Sequence, residues 1–266
     1  MRSLKRNLAQ NPLSTSKQLF EKAQLSTEVP KTTRCKILNI LGSVRVARKQ
    51  PCLKPIHMVN RVKWATTYLK QDFRDVLFTD ECRATLDGPD GFARGWVTSG
   101  CTAPTRQGGG GVMFWAGILD DKVLGPFRVC DGVKMDSNGY CAFLKTNLLP
   151  WLANLEDCIR GKLVFMQDNA PSHASNYSRE FIFNNGIIKM EWPAASPDMN
   201  PIENLWSIVK IQLYCNGKQY SSNDELWNGI QTVMGNIASA VVKKLTSSVD
   251  RRLIKILTGK GNYILH

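Results

Sequence analysis

The sequence predicts an α/β protein in which a mixed sheet is flanked by helices and preceded by a small all-α unit. Three observations lead to this fold class. From about residue 71 onward, short apolar runs typical of buried strands alternate with segments of helical periodicity. The first 42 residues carry helical patterns alone, and positive net charge is confined to the first quarter of the chain.

Charge divides the chain into a basic module and a neutral body. Residues 1–70 contain 15 lysines and arginines against 2 acidic residues, whereas residues 71–266 contain 20 of each. A basic module of this kind predicts nucleic-acid binding, because neutralised phosphates release counterions. A solvated or membrane-surface tail is the alternative interpretation.

Two short helices are predicted in the basic module. Residues 14–16 offer a helix cap before a helix over residues 17–24, and a second helix over residues 31–41 is ended by Gly42. Two helices joined by a turn are typical of a helix-turn-helix whose second helix enters the major groove. The predicted DNA-binding residues are Lys31, Thr32, Thr33, Arg34, Lys36, Arg45, Arg48 and Lys49, with further phosphate contacts from Lys54, Arg61 and Lys63.

The remaining elements follow from apolar runs and turn signals. Asp87 to Gly91 and Asn185-Gly186 are strong turn signals. The predicted order after residue 71 is a strand over 76–80, a strand from 94, strands over 112–118 and 123–130, a helix over 137–155 kinked at Pro150, a strand over 163–168, a helix over 172–184, a strand over 187–192, a helix carrying Glu203 and a helical C-terminal cap. We therefore expect a helix-turn-helix unit at 1–42, a basic linker and lead-in helix at 43–70, and an α/β domain with a helical C-terminal cap at 71–266.

Three carboxylates are predicted to meet at one edge of the sheet. Asp80 and Asp168 each end a short apolar run, and Glu203 lies in the first turn of a helix beginning at Asn200 and Pro201. Taken alone, each acid also fits a structural role as a turn former, a helix-start partner or half of a capping box. Together, like charges at one edge would raise one another's pKa unless divalent cations lay between them. Oxygen ligands select Mg²⁺ or Mn²⁺, and two such ions about 3.5–4 Å apart promote in-line phosphoryl transfer.

The segments around these acids resemble the catalytic domain of Tc/mariner-superfamily DNA transposases. The matching segments are FTDE at 78–81, QDNAPSH at 167–173 and SPDMNPIENLW at 196–206. Thirty-four residues separate Asp168 from Glu203, a spacing that is similar to the Tc branch, whereas the third acid of the mariner branch is an aspartate. The resemblance implies an RNase H-like fold, a catalytic and metal-binding triad of Asp80, Asp168 and Glu203, and two Mg²⁺ ions per active site, with Mn²⁺ as a substitute.

The same resemblance implies a cut-and-paste transposase that acts in the nucleus. Its expected partners are double-stranded DNA, as transposon terminal inverted repeats and TA target sites, and a second copy of the chain on paired ends. The helix-turn-helix at 1–42 resembles the second of two such units, so the first unit and an arginine-rich segment are expected to be missing before Met1. Two alternatives stay open: a truncated or domesticated DNA-binding relative without transposition, and an RNase H-like nuclease of another purpose.

Several residues near the acids have open roles at this stage. His173 could contact DNA or the scissile phosphate, or could cap a helix. Glu81 is expected to point to the opposite face of its strand from Asp80, outside the metal site. Asp198 is expected to be a turn residue, and Trp206 is expected to lie in the core. Because carboxylate repulsion should be relieved when one charge is removed, Asp168→Asn is expected to leave metal-free stability unchanged or slightly higher.

Other function classes receive no support from the sequence. The glycine run at 107–111 lacks the following Gly-Lys-Ser/Thr of a phosphate-binding loop. Eight cysteines without a C-x-x-C pair, together with only three histidines, predict a reduced intracellular protein without a zinc site. The longest apolar stretch, near 112–119, is too short to span a bilayer, so no membrane partner is expected.

Overall fold

The computed structural model describes residues 2–10, 14–41, 52–88, 110–129, 135–215 and 218–264. These residues belong to two compact units, Met1–Cys52 and Leu53–His266. The predicted strand from residue 94 and the predicted DNA contacts Arg45, Arg48 and Lys49 lie outside the described residues. None of the helices in the described ranges is both long and apolar enough to cross a membrane.

The first unit contains three helices: α1 (Arg2–Gln10), α2 (Ser16–Lys22) and α3 (Lys31–Leu41). Thr15 begins α2 through a capping box, in which its side chain accepts a hydrogen bond from the Gln18 backbone and its own backbone donates to the Gln18 side chain. The bounds of α3 are those the sequence predicts, whereas α1 was not predicted. Leu4 of α1 is fully buried in a cluster with residues of α2, which supplies the apolar contact that a short basic helix needs.

The second unit is built on a mixed five-stranded sheet. Its strands are β1 (Val76–Thr85), β2 (Gly111–Leu119), β3 (Lys122–Arg128), β4 (Val164–Met166) and β5 (Ile188–Lys189), in the spatial order β3-β2-β1-β4-β5. The pairs β1–β2 and β2–β3 are antiparallel, while β1–β4 and β4–β5 are parallel. The mixed sheet is the architecture predicted from the sequence.

Helices cover both faces of this sheet. They are α4 (Pro55–Thr67), α5 (Ser137–Ala153), α6 (Asp157–Arg160), α7 (Pro171–Ala174), α8 (Asn176–Asn184), α9 (Ile202–Leu213), α10 (Asn223–Gly235), α11 (Ser239–Thr246) and α12 (Val249–Thr258). Successive side chains of β1 alternate between two cores: Phe78 packs in the core shared with α4, α9, α10 and α12, and Leu77 packs in the core shared with α5 and α8. Burial on both faces explains why the strands are nearly continuous apolar runs.

Strand β1 and the helix after Asp168 differ most clearly from prediction, and strands β4 and β5 are shorter than the predicted 163–168 and 187–192. Strand β1 does not end at Asp80 but continues to Thr85, because residues 81–85 pair with β2. The helix predicted over 172–184 is divided at Ser175, whose hydroxyl caps α8 by accepting a hydrogen bond from the Ser178 backbone at 3.1 Å. Pro150 lies inside α5 and does not end it.

The predicted lead-in helix, α4, packs within the second unit. Trp64 and Ala65 are buried in the same core as Phe78, and α4 packs against α12. The second compact unit therefore begins at Leu53, ahead of the boundary at residue 71 that charge alone suggested. The two boundaries differ because α4 is basic in sequence but packs with the electrically neutral part of the chain that follows it.

Candidate active site

Asp80 and Asp168 lie side by side beyond the parallel pairing of β1 with β4. Phe78 of β1 is in register with Met166 of β4, and each acid follows two residues later along its own chain segment. Because parallel strands run in the same direction, the register places the two acids at the same level of the sheet. Asp168 follows the end of β4, as the sequence predicts for both acids, whereas Asp80 is paired with Ala116 inside β1.

Asp80 is a largely buried carboxylate with one hydrogen bond from a neighbouring side chain. Trp206 of α9 donates its indole N–H to Asp80 Oδ2 at 3.1 Å, so this buried tryptophan orients the acid as well as packing in the core. Burial is the main cause that raises the pKa of Asp80 to about 7, and the charges of Glu203 and Glu81 add to it. Burial and the neighbouring carboxylates thus destabilise the ionised form of Asp80.

Asp168 is held by its own segment of chain. Its Oδ1 accepts hydrogen bonds from the Ala170 backbone N–H at 2.9 Å and from His173 Nδ1 at 2.7 Å. Burial is the largest single influence on the pKa of Asp168 and acts to raise it. The two hydrogen bonds and the charge of His173 together outweigh burial, so the pKa lies below its ordinary value. Both bonds fall on one oxygen, and Oδ2 makes no hydrogen bond to the part of the chain that the structure describes.

His173 bridges two acids from a buried position. It is 5% exposed, its Nδ1 contacts Asp168, and its Nε2 lies 3.4 Å from Glu81 Oε1. The Tyr140 ring packs over the imidazole with 4.0 Å between ring centroids. Burial lowers the pKa of His173, yet the hydrogen bonds and charges of Asp168 and Glu81 raise it to about 9. Since both ring nitrogens face carboxylates, the geometry favours an orienting role over the direct DNA or phosphate contact considered for this residue.

Glu203 lies in the first turn of α9, at the end of a short loop tied to β1. Asn200 Oδ1 accepts a hydrogen bond from the Ile202 backbone at 3.2 Å, and its Nδ2 donates to the Thr79 carbonyl at 3.3 Å. Thr79 immediately precedes Asp80, so one amide side chain links the strand acid to the helix acid. Burial raises the pKa of Glu203, the charge of Asp168 raises it further, and Lys210 acts in the opposite direction.

Two residues near Glu203 have roles that the sequence analysis did not predict. Arg61, expected to contact phosphate, is fully buried in α4 and forms an ion pair with Asp198, whose side chain is 5% exposed. Asp198, expected to be a simple turn residue, is therefore the partner of a buried charge. The position of Asp198 inside the SPDMNPIENLW segment was the available signal, but its partner lies 137 residues away.

In the first unit, the predicted DNA-reading residues of α3 are mostly exposed. Lys31, Thr32, Thr33 and Lys36 face solvent. Arg34 is half-buried, and its Nη1 donates to the carbonyl of Thr27 at 2.8 Å and to the carbonyl of Val29. The guanidinium of Arg34 therefore stabilises the turn that leads into α3.

The three acids offer the ligand chemistry of a divalent cation without forming a closed metal cluster. Across the described ranges, no three His, Cys, Asp or Glu side chains lie close enough together to hold a metal ion. In addition to burial, the charge of Glu203 nevertheless raises the pKa of Asp80, the charge of Asp168 raises the pKa of Glu203, and all three acids are oxygen donors. The raised pKa of Asp80 shows that ionising this buried carboxyl group is unfavourable, and a cation between the acids would offset that cost. Because all the donors are oxygen atoms, the set fits Mg²⁺ or Mn²⁺.

Comparison with known proteins agrees with this site. A family model described as DDE superfamily endonuclease matches residues 75–226. The transposable element Tc3 transposase of Caenorhabditis elegans is 32% identical over 265 residues, which cover 96% of this chain and 78% of that protein. The Tc1 transposase of the same organism is 31% identical over 225 residues, covering 80% and 79%.

Solved structures share the fold. The crystal structure of the mariner Mos1 paired end complex with Mg has a TM-score of 0.77 at 18% identity, covering 98% of this chain and 79% of that chain. The catalytic domain of Mos1 mariner transposase has a TM-score of 0.62 at 14% identity, covering 82% and 100%. With an RNase H-like sheet, three ordered acids and relatives above 30% identity, the chain belongs to the Tc/mariner superfamily of DDE transposases.

Proposed function

We propose that this protein is a cut-and-paste DNA transposase that hydrolyses phosphodiester bonds at transposon ends and transfers the freed strand into target DNA. The observation that supports the proposal is the matching register of Asp80 and Asp168, together with Glu203, which lies on the first turn of α9 and whose charge adds to burial in raising the pKa of Asp80. No covalent bond between protein and DNA is needed, because the attacking group is water or a DNA 3′-hydroxyl.

Asp80 and Asp168 would hold the cations, and Glu203 would complete the site. When bound, two Mg²⁺ or Mn²⁺ ions supply a nucleophile activated at neutral pH and a positive charge opposite the leaving oxygen. His173 keeps Asp168 Oδ1 occupied, so that Oδ2 is the oxygen free to bind a cation. Trp206 orients the Asp80 carboxylate by donating one hydrogen bond to Oδ2.

DNA recognition is assigned to the first unit. Exposed Lys31, Thr32, Thr33 and Lys36 on α3 would read or grip the major groove, while Arg34 sets the turn before that helix. We extend the phosphate contact to Arg45, Arg48 and Lys49 on charge alone. The partners are terminal inverted repeats and TA target DNA, on which the Mos1 paired end complexes suggest at least a homodimer, and the place of action is the nucleus.

The alternative of a DNA-binding relative without transposition is not favoured. All three acids of the expected triad are present in the sequence, and a family model described as DDE superfamily endonuclease spans them. The chain also spans 78% of the Tc3 transposase and 79% of the Tc1 transposase.

The test is Mg²⁺-dependent cleavage of a labelled duplex carrying candidate terminal repeats. We expect cleavage at the repeat ends by the natural chain and by Glu180→Gln, an exposed matched control on α8, and loss of cleavage in Glu203→Gln. Binding without cleavage would contradict the proposal in favour of a DNA-binding relic. Cleavage without sequence preference would contradict it in favour of a nuclease of another purpose.

A further inference from the structure

A buried ion pair lies on the loop that leads to Glu203. Arg61 of α4 donates from Nη1 to Asp198 Oδ1 at 2.7 Å and from Nη2 to Asp198 Oδ2 at 2.6 Å. Arg61 is fully buried, and the side chain of Asp198 is 5% exposed. Two parallel bonds from a planar guanidinium fix the orientation of the carboxylate as well as its position.

A second buried arginine joins the same loop to the first turn of α9. Arg252 of α12 is 6% exposed and donates from Nη1 to the Asp198 carbonyl oxygen at 2.7 Å. Its Nη2 donates to Asn204 Oδ1 at 2.6 Å, and its Nε donates to the Ser248 hydroxyl at 3.0 Å. Asn204 directly follows Glu203, so one guanidinium spans the loop and the turn that carries the acid.

The chain beyond α12 completes the arrangement. Ile264 donates its backbone N–H to Asp198 Oδ2 at 2.8 Å, and Arg61 Nε donates to the Gly261 carbonyl at 2.9 Å. Gly261 has φ of +81°, and a Cβ there would lie 2.3 Å from the Met58 carbonyl oxygen of α4. The close approach of this segment to α4 therefore requires glycine, and it supplies the remaining partners of a buried charge.

The turn that carries Glu203 is restrained from two sides. Local contacts attach the loop to β1 through Asn200 and Thr79. Arg252 adds a restraint on the residue next to Glu203 itself.

We infer that Arg61 and Arg252, acting through Asp198 and Asn204, are positioning residues that hold Glu203 in place to bind a cation. This inference rests on the proposed role of Glu203 in the acid site. It assigns to α4 and α12, which carry none of the three acids, a part in building the metal centre. Arg61 and Arg252 touch neither substrate nor cation; they act on the loop and turn that carry the acid.

The sharpest test removes one acceptor without removing a buried charge. Asn204→Ala deprives Arg252 Nη2 of its partner on α9 and leaves the bond to the Asp198 carbonyl in place. We expect Mn²⁺ affinity, measured by electron paramagnetic resonance of free Mn²⁺, to fall about tenfold, as is typical when the support of a metal ligand is lost. Because a buried guanidinium loses one acceptor, the melting midpoint in EDTA should fall modestly below that of Asn228→Ala, an exposed matched control on α10, so Mn²⁺ affinity is compared at a temperature at which both variants are folded.

A double-mutant comparison separates positioning from general loosening of the fold. In a Glu203→Gln background, Asn204→Ala should cause no further loss of Mn²⁺ affinity, because the residue it positions has already been altered. Unchanged Mn²⁺ affinity in Asn204→Ala, or an equal loss in both backgrounds, would overturn the inference while leaving the proposed function intact. Failure of the natural chain to bind Mn²⁺ would overturn the proposed acid site and the inference together.

The conservative change at Arg252 gives a second readout. A lysine keeps the charge but has a single ammonium group, which cannot reproduce a fork that reaches both Asp198 and Asn204. Arg252→Lys should therefore also weaken Mn²⁺ binding, while Arg251→Lys, an exposed neighbour on α12, should not. Full Mn²⁺ affinity in Arg252→Lys would contradict the need for a two-point contact.

Discussion

Asp168 and Glu203 are proposed to serve one site, but different lengths of chain support them. Asp168 takes its hydrogen bonds from Ala170 and His173, which follow it by two and five residues. The loop before Glu203 takes its support from Arg61, which lies 137 residues from its partner Asp198, and from Arg252, which lies 48 residues from Asn204. A short motif can thus orient one acid by itself, whereas the other acid depends on the assembled tertiary structure.

The largest expected effect comes from neutralising the locally supported acid. Asp168→Asn should reduce cleavage by about a thousandfold or more, because several kcal/mol of charge stabilisation depend on the cations it would hold. Asp250→Asn, an exposed matched control on α12, should cleave normally in the same gel assay. Substantial cleavage by Asp168→Asn would remove this residue from the catalytic site.

Breaking the remote support should cost more stability than breaking the local one. Arg61→Met leaves Asp198 as a buried charge without its partner, so the free energy of unfolding should fall by about 3–5 kcal/mol in urea titrations with EDTA. His173→Gln removes one hydrogen bond to a carboxylate and should cost about 1–3 kcal/mol.

The charge of Asp198 provides the control for that comparison. Adding Asp198→Asn to Arg61→Met removes the unpaired charge and should restore part of the lost stability, because the amide oxygen can still accept the Ile264 hydrogen bond. Equal losses for Arg61→Met and His173→Gln would contradict the distinction between remote and local support.

Asp80 and Asp168 should respond oppositely to neutralisation in metal-free protein. The pKa of Asp80 in the folded chain, about 7, lies above the unfolded value of about 3.9, so its ionisation costs stability as pH rises through 7. Asp80→Asn should therefore raise the free energy of unfolding by on the order of 1–3 kcal/mol at pH 8, and the gain should vanish near pH 4. A lower stability at pH 8 would contradict the assignment.

For Asp168 the sign is reversed. Its pKa is lowered by hydrogen bonds, so its ionised form stabilises the fold above the unfolded pKa, and Asp168→Asn should lower metal-free stability. This differs from the sequence-based expectation of unchanged or higher stability. Burial and repulsion among the acids raise the pKa values of Asp80 and Glu203, whereas at Asp168 the hydrogen bonds from His173 and Ala170 outweigh the effect of burial.

The smallest expected effect concerns the basic module. Removing residues 1–52 should flatten the dependence of DNA affinity on salt, because 11 of the lysines and arginines are lost, while Mn²⁺ binding should persist. Removing residues 1–70 also deletes α4 and Arg61, so Mn²⁺ binding and thermal stability should fall together. An unchanged salt slope after the first truncation would move the DNA contact to the catalytic body.

The sequence predicts the local features of this site well. The apolar runs before Asp80 and Asp168, and the Asn200-Pro201 helix start before Glu203, are signals carried by neighbouring residues. The same holds for α3, whose bounds at Lys31–Leu41 follow from its flanking turn and Gly42. Each depends on hydrophobic periodicity or capping within one segment.

Features that depend on distant partners could not be predicted in the same way. In the sequence, Arg61 is one of several basic residues and is therefore expected to contact phosphate. The packing of α4 instead buries it in an ion pair with Asp198. Glu81 does lie on the opposite face from Asp80, yet it reaches the site through His173, a residue of another segment. Helix α1 was not predicted because its main apolar anchor is the single residue Leu4. The contacts that bury Leu4 come from residues of another segment, including Leu19 and Phe20 of α2.

The most direct test of the account is anomalous X-ray diffraction from crystals of the natural chain grown with Mn²⁺. We expect two manganese peaks about 3.5–4 Å apart, bound by carboxylate oxygens of Asp80, Asp168 and Glu203. Manganese at other positions, or no peak within bonding distance of these three carboxylates, would contradict the central claim that the acids form a metal-dependent transposase site.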